Sequence, residues 1–399
     1  MKKIYYGKAV YDNKEINAVN KVLRESSLSL IDGKKTKLLE KTVAKIFGKK
    51  YGLMVNSGSS ANLLALSSFN FKKGSEIITP NLTFSTTVAP IYQLGLTPHF
   101  VGVEKNKFVA DINQIEKSIT KKTVALMIPN LLGNIADWKK IKIIAKKYKI
   151  KVIEDSADTI GYSIFGKNSG DCSDISTNSF YASHIINGAG TGGIVCFNDY
   201  KLYLRAKLLR GWGRSSATFN ESENINKRFN IKISGIDYDA KYVFEDLGYN
   251  FLPSEISAAF ALEQIKKLKK NISIRNRNFD YLKKFFKKYN HYFNLPEQYK
   301  GVKTPWLAFP LVIKDNKLFT RRDLQIYFEK NKIQTRTIFT GNILRQPVMK
   351  NRKFKKNSRC NFVADDVMKN GILIGCHQGM NIADLNYICK IFKKFINIR

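Results

Sequence analysis

Cysteine is sparse and unorganised in this 399-residue chain: Cys172, Cys196, Cys360, Cys376 and Cys389 are scattered, odd in number and form no CxxC pair. That spacing speaks against a disulfide framework and against a zinc site, so no metal is expected and the thiols read as reduced and buried. Long apolar runs are missing too. No stretch approaches the ~18 consecutive apolar residues that would span a bilayer, so no membrane partner is expected. The opening segment MKKIYYGKAVYDNKE has neither an apolar core nor a small-residue cleavage site. It does not read as a signal peptide, and the chain is expected in the cytoplasm.

Acidic residues are few: 32 against 68 lysines and arginines, a formal net charge of +36. A field of that sign could attract nucleic acid. The lysines are spread along the chain, however, and no nucleic-acid motif accompanies them. In KKIKIIAKKYK the apolar positions Ile141, Ile144, Ala145 and Tyr148 fall at helical spacing, which puts the lysines on a solvated face. No nucleic-acid partner is expected; the basic surface suits an anionic nucleotide substrate.

What is present is a regular alternation. Short apolar strands are expected at Leu53–Val55, Glu76–Thr79, His99–Val103, Val124–Ile128, Lys151–Ile153, Ser176–Tyr181 and Gly193–Phe197, with amphipathic helices between most of them. This is the pattern of an α/β sheet covered on both faces. A long helical stretch follows over roughly Pro253–Tyr289. Then come a strand (Trp306–Ile313), a helix (Thr320–Asn331), a strand (Gln334–Ile338), and a final strand and helix. The expected division is a large domain over 1–255, and a long helix with a smaller C-terminal domain over 256–399.

Four segments carry chemistry. Asn56-Ser57-Gly58-Ser59-Ser60-Ala61-Asn62 lies between a strand and a helix; it offers N–H groups and hydroxyls to a phosphate, or serves as a plain N-cap through Ser59. Val152-Ile153-Glu154-Asp155-Ser156-Ala157-Asp158 ends an apolar strand in carboxylates, where active groups of open α/β sheets gather; a helix cap is the plainer alternative. Ser179-Phe180-Tyr181-Ala182-Ser183-His184 precedes a Gly-rich loop, placing a histidine with near-neutral pKa after a strand, or a merely structural one. Leu247-Gly248-Tyr249-Asn250 by itself indicates only a loop before a helix.

Taken in order, SGSSANL, VIEDSAD, SFYASH, RGWGR and GYNFLPSEISAAFALEQ resemble the DegT/DnrJ/EryC1/StrS family of nucleotide-sugar aminotransferases, over nearly the whole chain. The resemblance implies an α/β, fold-type I aminotransferase-like architecture: a large domain with a mixed seven-stranded sheet between helices, plus a smaller C-terminal α+β domain. It implies pyridoxal 5'-phosphate (PLP) or pyridoxamine 5'-phosphate (PMP) as cofactor. Gly58, Ser59 and Ser179 would bind its phosphate, and Asn250 that of the neighbouring subunit in a homodimer with shared active sites. Asp155 would face the ring nitrogen, Phe84 would stack on the ring, and Asp158 would lie near the ring hydroxyl, where many relatives carry glutamine.

The family's aminotransferases carry a cofactor-bonding lysine five residues after the serine of SF. Here that position is His184, and no lysine occurs from Asn168 to Tyr200. The same replacement marks the family's 3-dehydratases, which exist with and without an iron–sulfur cluster. The insertion from Ser215 to Leu247 sits where the iron–sulfur kind holds its cysteines, yet contains none, which favours the cluster-free kind. The implied reaction removes the C3 hydroxyl of a nucleotide-linked 4-keto-6-deoxy sugar. L-Glutamate regenerates PMP, the cofactor is non-covalently bound, His184 is the acid–base catalyst, and ammonia is released. Arg210, Trp212 and Arg214, with Arg336 and Asn342, are candidates for substrate contacts. An iron–sulfur relative and a non-catalytic regulatory homologue are the alternatives.

Overall fold

The computed structural model describes residues 3–25, 30–219 and 223–398. Its centre is an eight-stranded sheet. The strands are β1 (Tyr51–Val55), β2 (Glu76–Pro80), β3 (Thr97–Val101), β4 (Thr123–Pro129), β5 (Lys151–Asp155), then β7 (Ile175–Ser179) and β8 (Gly193–Phe197), with a short β6 (Ser163–Ile164) between β5 and β7 lying outside the sheet. The spatial order is β1-β8-β7-β5-β4-β2-β3, extended at the β3 edge by the two-residue β15 (Lys355–Lys356). Only β8 runs antiparallel to its neighbours, β1 and β7. The seven strands legible in the sequence therefore form the mixed sheet, and the eighth comes from the C-terminal region.

Alternate residues along each strand enter different cores. Met54, Ile78, Leu126, Val152 and Ile194 pack with the helices Lys34–Ile46 and Trp138–Tyr148. Leu53, Val55, Ile77, Met127, Ile153 and Val195 pack with Gly58–Ser68 and Tyr200–Arg210. Burial on both faces explains why these strands read as unbroken apolar runs rather than alternations.

The insertion carries the hairpin of β9 (Ile231–Ile233) and β10 (Ile236–Tyr238); its residues 220–222 lie outside the described residues. The long helical stretch is two helices, Glu255–Lys266 and Leu268–Lys287, meeting at Lys267. Beyond them β11 (Phe293–Asn294), β13 (Phe309–Ile313), β16 (Gly371–Ile374) and β14 (Thr335–Arg336) form an antiparallel sheet in that order. A short β12 (Val302–Lys303) pairs instead with β6. The strand expected at Gln334–Ile338 shrinks to its first residues because the chain then turns through Phe339 at φ 45°. Ile4, at the other end of the chain, bridges to Ile333 and is buried in the same core as this second sheet. No helix among the described residues is long and apolar enough to cross a membrane.

Candidate active site

The carboxyl ends of β1, β4, β5 and β7 open into one cavity of about 590 Å³. At β1 the chain leaves Val55 and begins a helix at Gly58, with Ser57 as N-cap accepting from Ser60 N at 3.0 Å. The next N–H, of Ala61, reaches the Ser57 carbonyl. Helical geometry leaves Gly58 and Ser59 N–H without an acceptor of their own, and they line the cavity at the positive end of the helix. Gly58 is required by close approach: a Cβ there would stand 2.5 Å from the Ser179 Cβ and 2.8 Å from its hydroxyl. Gly58, Ser59 and Ser179 thus form a small cradle of donors.

The two neighbouring carboxylates of β5 point to opposite faces, as strand geometry requires. Glu154 is enclosed by hydroxyls, accepting from Ser156 at 2.6 Å and Ser176 at 3.0 Å, with Tyr162 beside them. Asp155 lines the cavity. Its Oδ2 accepts from Asn62 Nδ2 and Thr87 Oγ1, both at 2.8 Å, and its Oδ1 from Ala157 N at 3.1 Å. Burial raises its pKa, while those three donors oppose the shift by favouring the carboxylate. Asp158, also in the cavity, is pushed up to about 7, first by burial and then by the charge of Asp155, against the 2.8 Å hydrogen bond from Leu132 N.

His184 sits on the turn after β7, its Nδ1 3.2 Å from the Ser179 carbonyl. A carbonyl only accepts, so the hydrogen lies on Nδ1 and the basic lone pair on Nε2. Burial holds the pKa down to about 4; the Ser179 hydrogen bond opposes this and the charge of Arg275 adds to it. The imidazole is therefore neutral at physiological pH. Phe84, half exposed at the cavity mouth, meets Phe339 edge-on with ring centroids 5.9 Å apart, leaving flat apolar surface for an aromatic guest.

The cavity brings together His184, Gly58, Ser59, Phe84, Asp155, Asp158 and Ser179. It does not include the other expected residues. Arg210 is buried and engaged: it donates to Asp32 at 2.5 Å, to Glu40 at 3.2 Å and to the Met54 carbonyl at 2.8 Å, so it ties helices to β1 rather than meeting a ligand. Asn342 is likewise buried, bonded to Asn81, Asn361, Asp365 and Leu344 N. Trp212 and Arg214 stack on one another at 4.2 Å, outside the cavity. Exposed Arg336 lies 5.8 Å over the ring of Tyr6, a cavity residue. Asn250 is exposed, its backbone bridged to Gly211, and does not reach the cavity of its own chain.

Sequence reading missed several lining residues: Tyr6, Asn62, Thr86, Thr87, Asn130, Leu307 and Phe339. Asn62 stands inside the segment 56–62 and Thr87 three residues after Phe84, and their role as donors to a strand-end aspartate was open to inference. Tyr6, Leu307 and Phe339 carry no local signal.

A cradle of N–H and hydroxyl donors, a donor-held aspartate and a neutral imidazole at the strand ends of an α/β sheet define a class of protein, and the sequence places the chain in it: residues 10–393 match the DegT/DnrJ/EryC1/StrS aminotransferase family, to which it belongs. Among similar proteins is the lipopolysaccharide biosynthesis protein RfbH of Salmonella typhimurium, 33% identical over 94% of this chain and 88% of the relative. The GDP-4-keto-6-deoxy-D-mannose 3-dehydratase of Yersinia pseudotuberculosis is 31% identical over 97% of each chain. Among solved structures, the E. coli GDP-4-keto-6-deoxy-D-mannose-3-dehydratase with bound hydrated PLP superposes with a TM-score of 0.88, at 28% identity, covering 98% of this chain and 99% of that one.

Proposed function

We propose that this chain is a PLP- and PMP-dependent 3-dehydratase of a nucleotide-linked 4-keto-6-deoxy sugar, using L-glutamate to supply the amine. The observation that carries the reading is His184: a neutral, tautomer-fixed imidazole stands in a cavity that no lysine among the described residues lines. The similar proteins named as GDP-sugar 3-dehydratases support it.

The cavity fits the cofactor. Gly58, Ser59 and Ser179 offer the N–H and hydroxyl donors a phosphate needs, in a space that any side chain at 58 would fill. Asp155, held by three donors, leaves lone pairs for a protonated ring nitrogen. Phe84 would cover a ring face, and Asp158 lines the same cavity. When bound, PMP contributes an amine that condenses with the sugar's 4-keto group and a pyridinium ring that accepts an electron pair.

His184 Nε2 acts as the base toward the carbon bearing that amine, and the resulting imidazolium is the acid that protonates the departing C3 hydroxyl. Charge produced in the first step is thus removed in the second. Asp155 holds the ring-nitrogen proton. A lysine at 184 would instead bond to PLP and could carry a proton to the sugar's C4, so that the glutamate-derived amine would stay on the sugar. The balance is one sugar and one glutamate giving a 4-keto-3,6-dideoxy sugar, 2-oxoglutarate and ammonia.

We place the working unit as a homodimer in which Asn250 serves the partner's cofactor phosphate; its exposed position outside its own cavity is consistent with that role. The test is incubation with PLP, L-glutamate and a panel of nucleotide-linked 4-keto-6-deoxy sugars, GDP-linked first, followed by mass spectrometry. The expected product is lighter by one oxygen atom and accompanied by ammonia and 2-oxoglutarate. An aminated sugar, or no turnover across the panel, would overturn the reading.

A further inference from the structure

Behind His184 lies a buried polar chain that reaches in from the C-terminal sheet. Arg275, on the helix Leu268–Lys287, is fully buried and makes no salt bridge among the described residues. Its Nη1 donates to the Trp306 and Leu307 carbonyls, each at 3.0 Å, and Leu307 lines the cavity. Its Nε donates to Gln378 Oε1 at 2.7 Å. That bond settles the orientation of the Gln378 amide: the oxygen faces the guanidinium, so the amide nitrogen faces the other way. There Gln378 Nε2 donates to the carbonyl of Ile185 at 3.5 Å, one residue beyond His184.

The loop holding Gln378 is itself anchored. Asn278 Nδ2 donates to the His377 carbonyl at 3.0 Å. His377 Nδ1 accepts from Gly379 N at 3.2 Å, so its Nε2 carries the hydrogen and donates to the Tyr5 carbonyl at 3.1 Å. The GILIGCHQGM segment, one of the stretches that resemble the family's 3-dehydratases, thereby touches two walls of the active site: the turn after β7 and the N-terminal segment carrying Tyr6.

We propose that Gln378 and Arg275 are positioning residues for His184. The guanidinium orients the amide, the amide holds the backbone at Ile185, and the His184 ring is kept where Nδ1 meets the Ser179 carbonyl and Nε2 stays free. The unpaired cation also disfavours a second positive charge on the ring, in keeping with the depressed pKa of His184. The other titratable groups about the pair are Tyr6, Asp158, Cys376 and His377. The proposal deepens the reading of His184 as the base and rests on it.

The test uses the full-length enzyme carrying Gln378→Leu or Gln378→Glu. The glutamate variant keeps the shape and the bond from Arg275 but presents an acceptor to the Ile185 carbonyl. PLP affinity, followed by absorbance, and the sugar KM are expected to stay within about twofold, while kcat falls by about tenfold or more, as misplacing a reacting group does. With only four histidines in the chain, the His184 ring nitrogens can be assigned by NMR from the signals missing in His184→Asn. In both Gln378 variants those signals should leave the pure Nδ1–H pattern. Unchanged ring signals, or an unchanged kcat, would overturn the proposal. So would loss of cofactor binding in both variants, which would mark the pair as holding the fold rather than the ring. The ring spectrum needs no turnover. If His184→Asn proves fully active, the reading of the base falls while the spectrum still reports on Gln378.

Discussion

His184 Nδ1 lies 3.2 Å from the carbonyl of Ser179, the residue whose hydroxyl lines the active-site cavity beside Gly58. One turn of chain therefore joins the proposed anchor of the cofactor to the ring proposed to move the proton. The same contact fixes which nitrogen is basic, and burial keeps that nitrogen unprotonated down to about pH 4. The acidic limb of kcat/KM is expected well below the ordinary imidazole pKa of about 6.5, because only the neutral ring can act as base. A limb at or above that value, measured with saturating PLP, would contradict the assignment.

The cofactor is expected to be held without a covalent bond. No lysine among the described residues lines the cavity. Borohydride treatment of the PLP-loaded protein, followed by peptide mass spectrometry, should find no pyridoxyl-lysine. His184→Lys should yield such an adduct at position 184 and lose most 3-dehydration, with trace sugar amination at most. A reduced lysine adduct in the unmodified protein would overturn this.

Asp155 depends on Thr87 and Asn62 for its charge. Thr87→Val removes one of two donors to the same carboxylate oxygen, favouring the protonated acid that burial already promotes. PLP affinity, from absorbance titration, is expected to fall by about tenfold, the magnitude of one hydrogen bond to a charged group. No change would mean that Asp155 does not meet the ring nitrogen.

Asp158 makes a stability prediction with a definite sign. Its pKa rises from 3.8 unfolded to about 7 folded, so between those values the native state binds the extra proton and stability falls as pH rises. Asp158→Asn keeps an acceptor for Leu132 N and abolishes the titration. The cofactor-free variant should be more stable than the parent at pH 8, by about 4 kcal/mol, and nearly equal to it at pH 4. Denaturant unfolding at the two pH values checks this; an equal gain at both would contradict it.

Shared sites can be tested by complementation. His184→Ala and Asn250→Ala homodimers should each be impaired. Mixing the two chains under exchange conditions should restore part of the activity, because a hybrid contains one intact site. No recovery, with hybrids confirmed by native mass spectrometry, would remove Asn250 from the partner's phosphate.

The sites that were legible in the sequence are those held on single short segments. Gly58–Ser59, Asp155–Asp158 and Ser179–His184 each sit where an apolar strand stops, and the parallel strands bring those ends together. Tyr6, Leu307 and Phe339 arrive from distant segments by packing, which no local pattern records. Arg210 read as a candidate substrate contact because a forked guanidinium suits an anionic group. Its partners Asp32 and Glu40 lie far back in the chain, and their pairing emerges only when the helices pack on β1. The edge strand Lys355–Lys356 carries no apolar signature, since it is exposed and joins the sheet by its backbone and by the ion pair of Lys355 with Glu76. The helix break at Lys267 was hidden because apolar spacing continues through it.

The most direct test is the rate of 3-deoxy product formation in His184→Asn relative to the parent, with PLP, L-glutamate and a turned-over nucleotide 4-keto-6-deoxy sugar. Asparagine keeps a polar side chain of similar reach but cannot take up a proton. Loss of about 100-fold or more in kcat, with PLP still bound, is the expected result. Dehydration at close to the parent rate would show that another group moves the proton, and that His184 is not the catalyst.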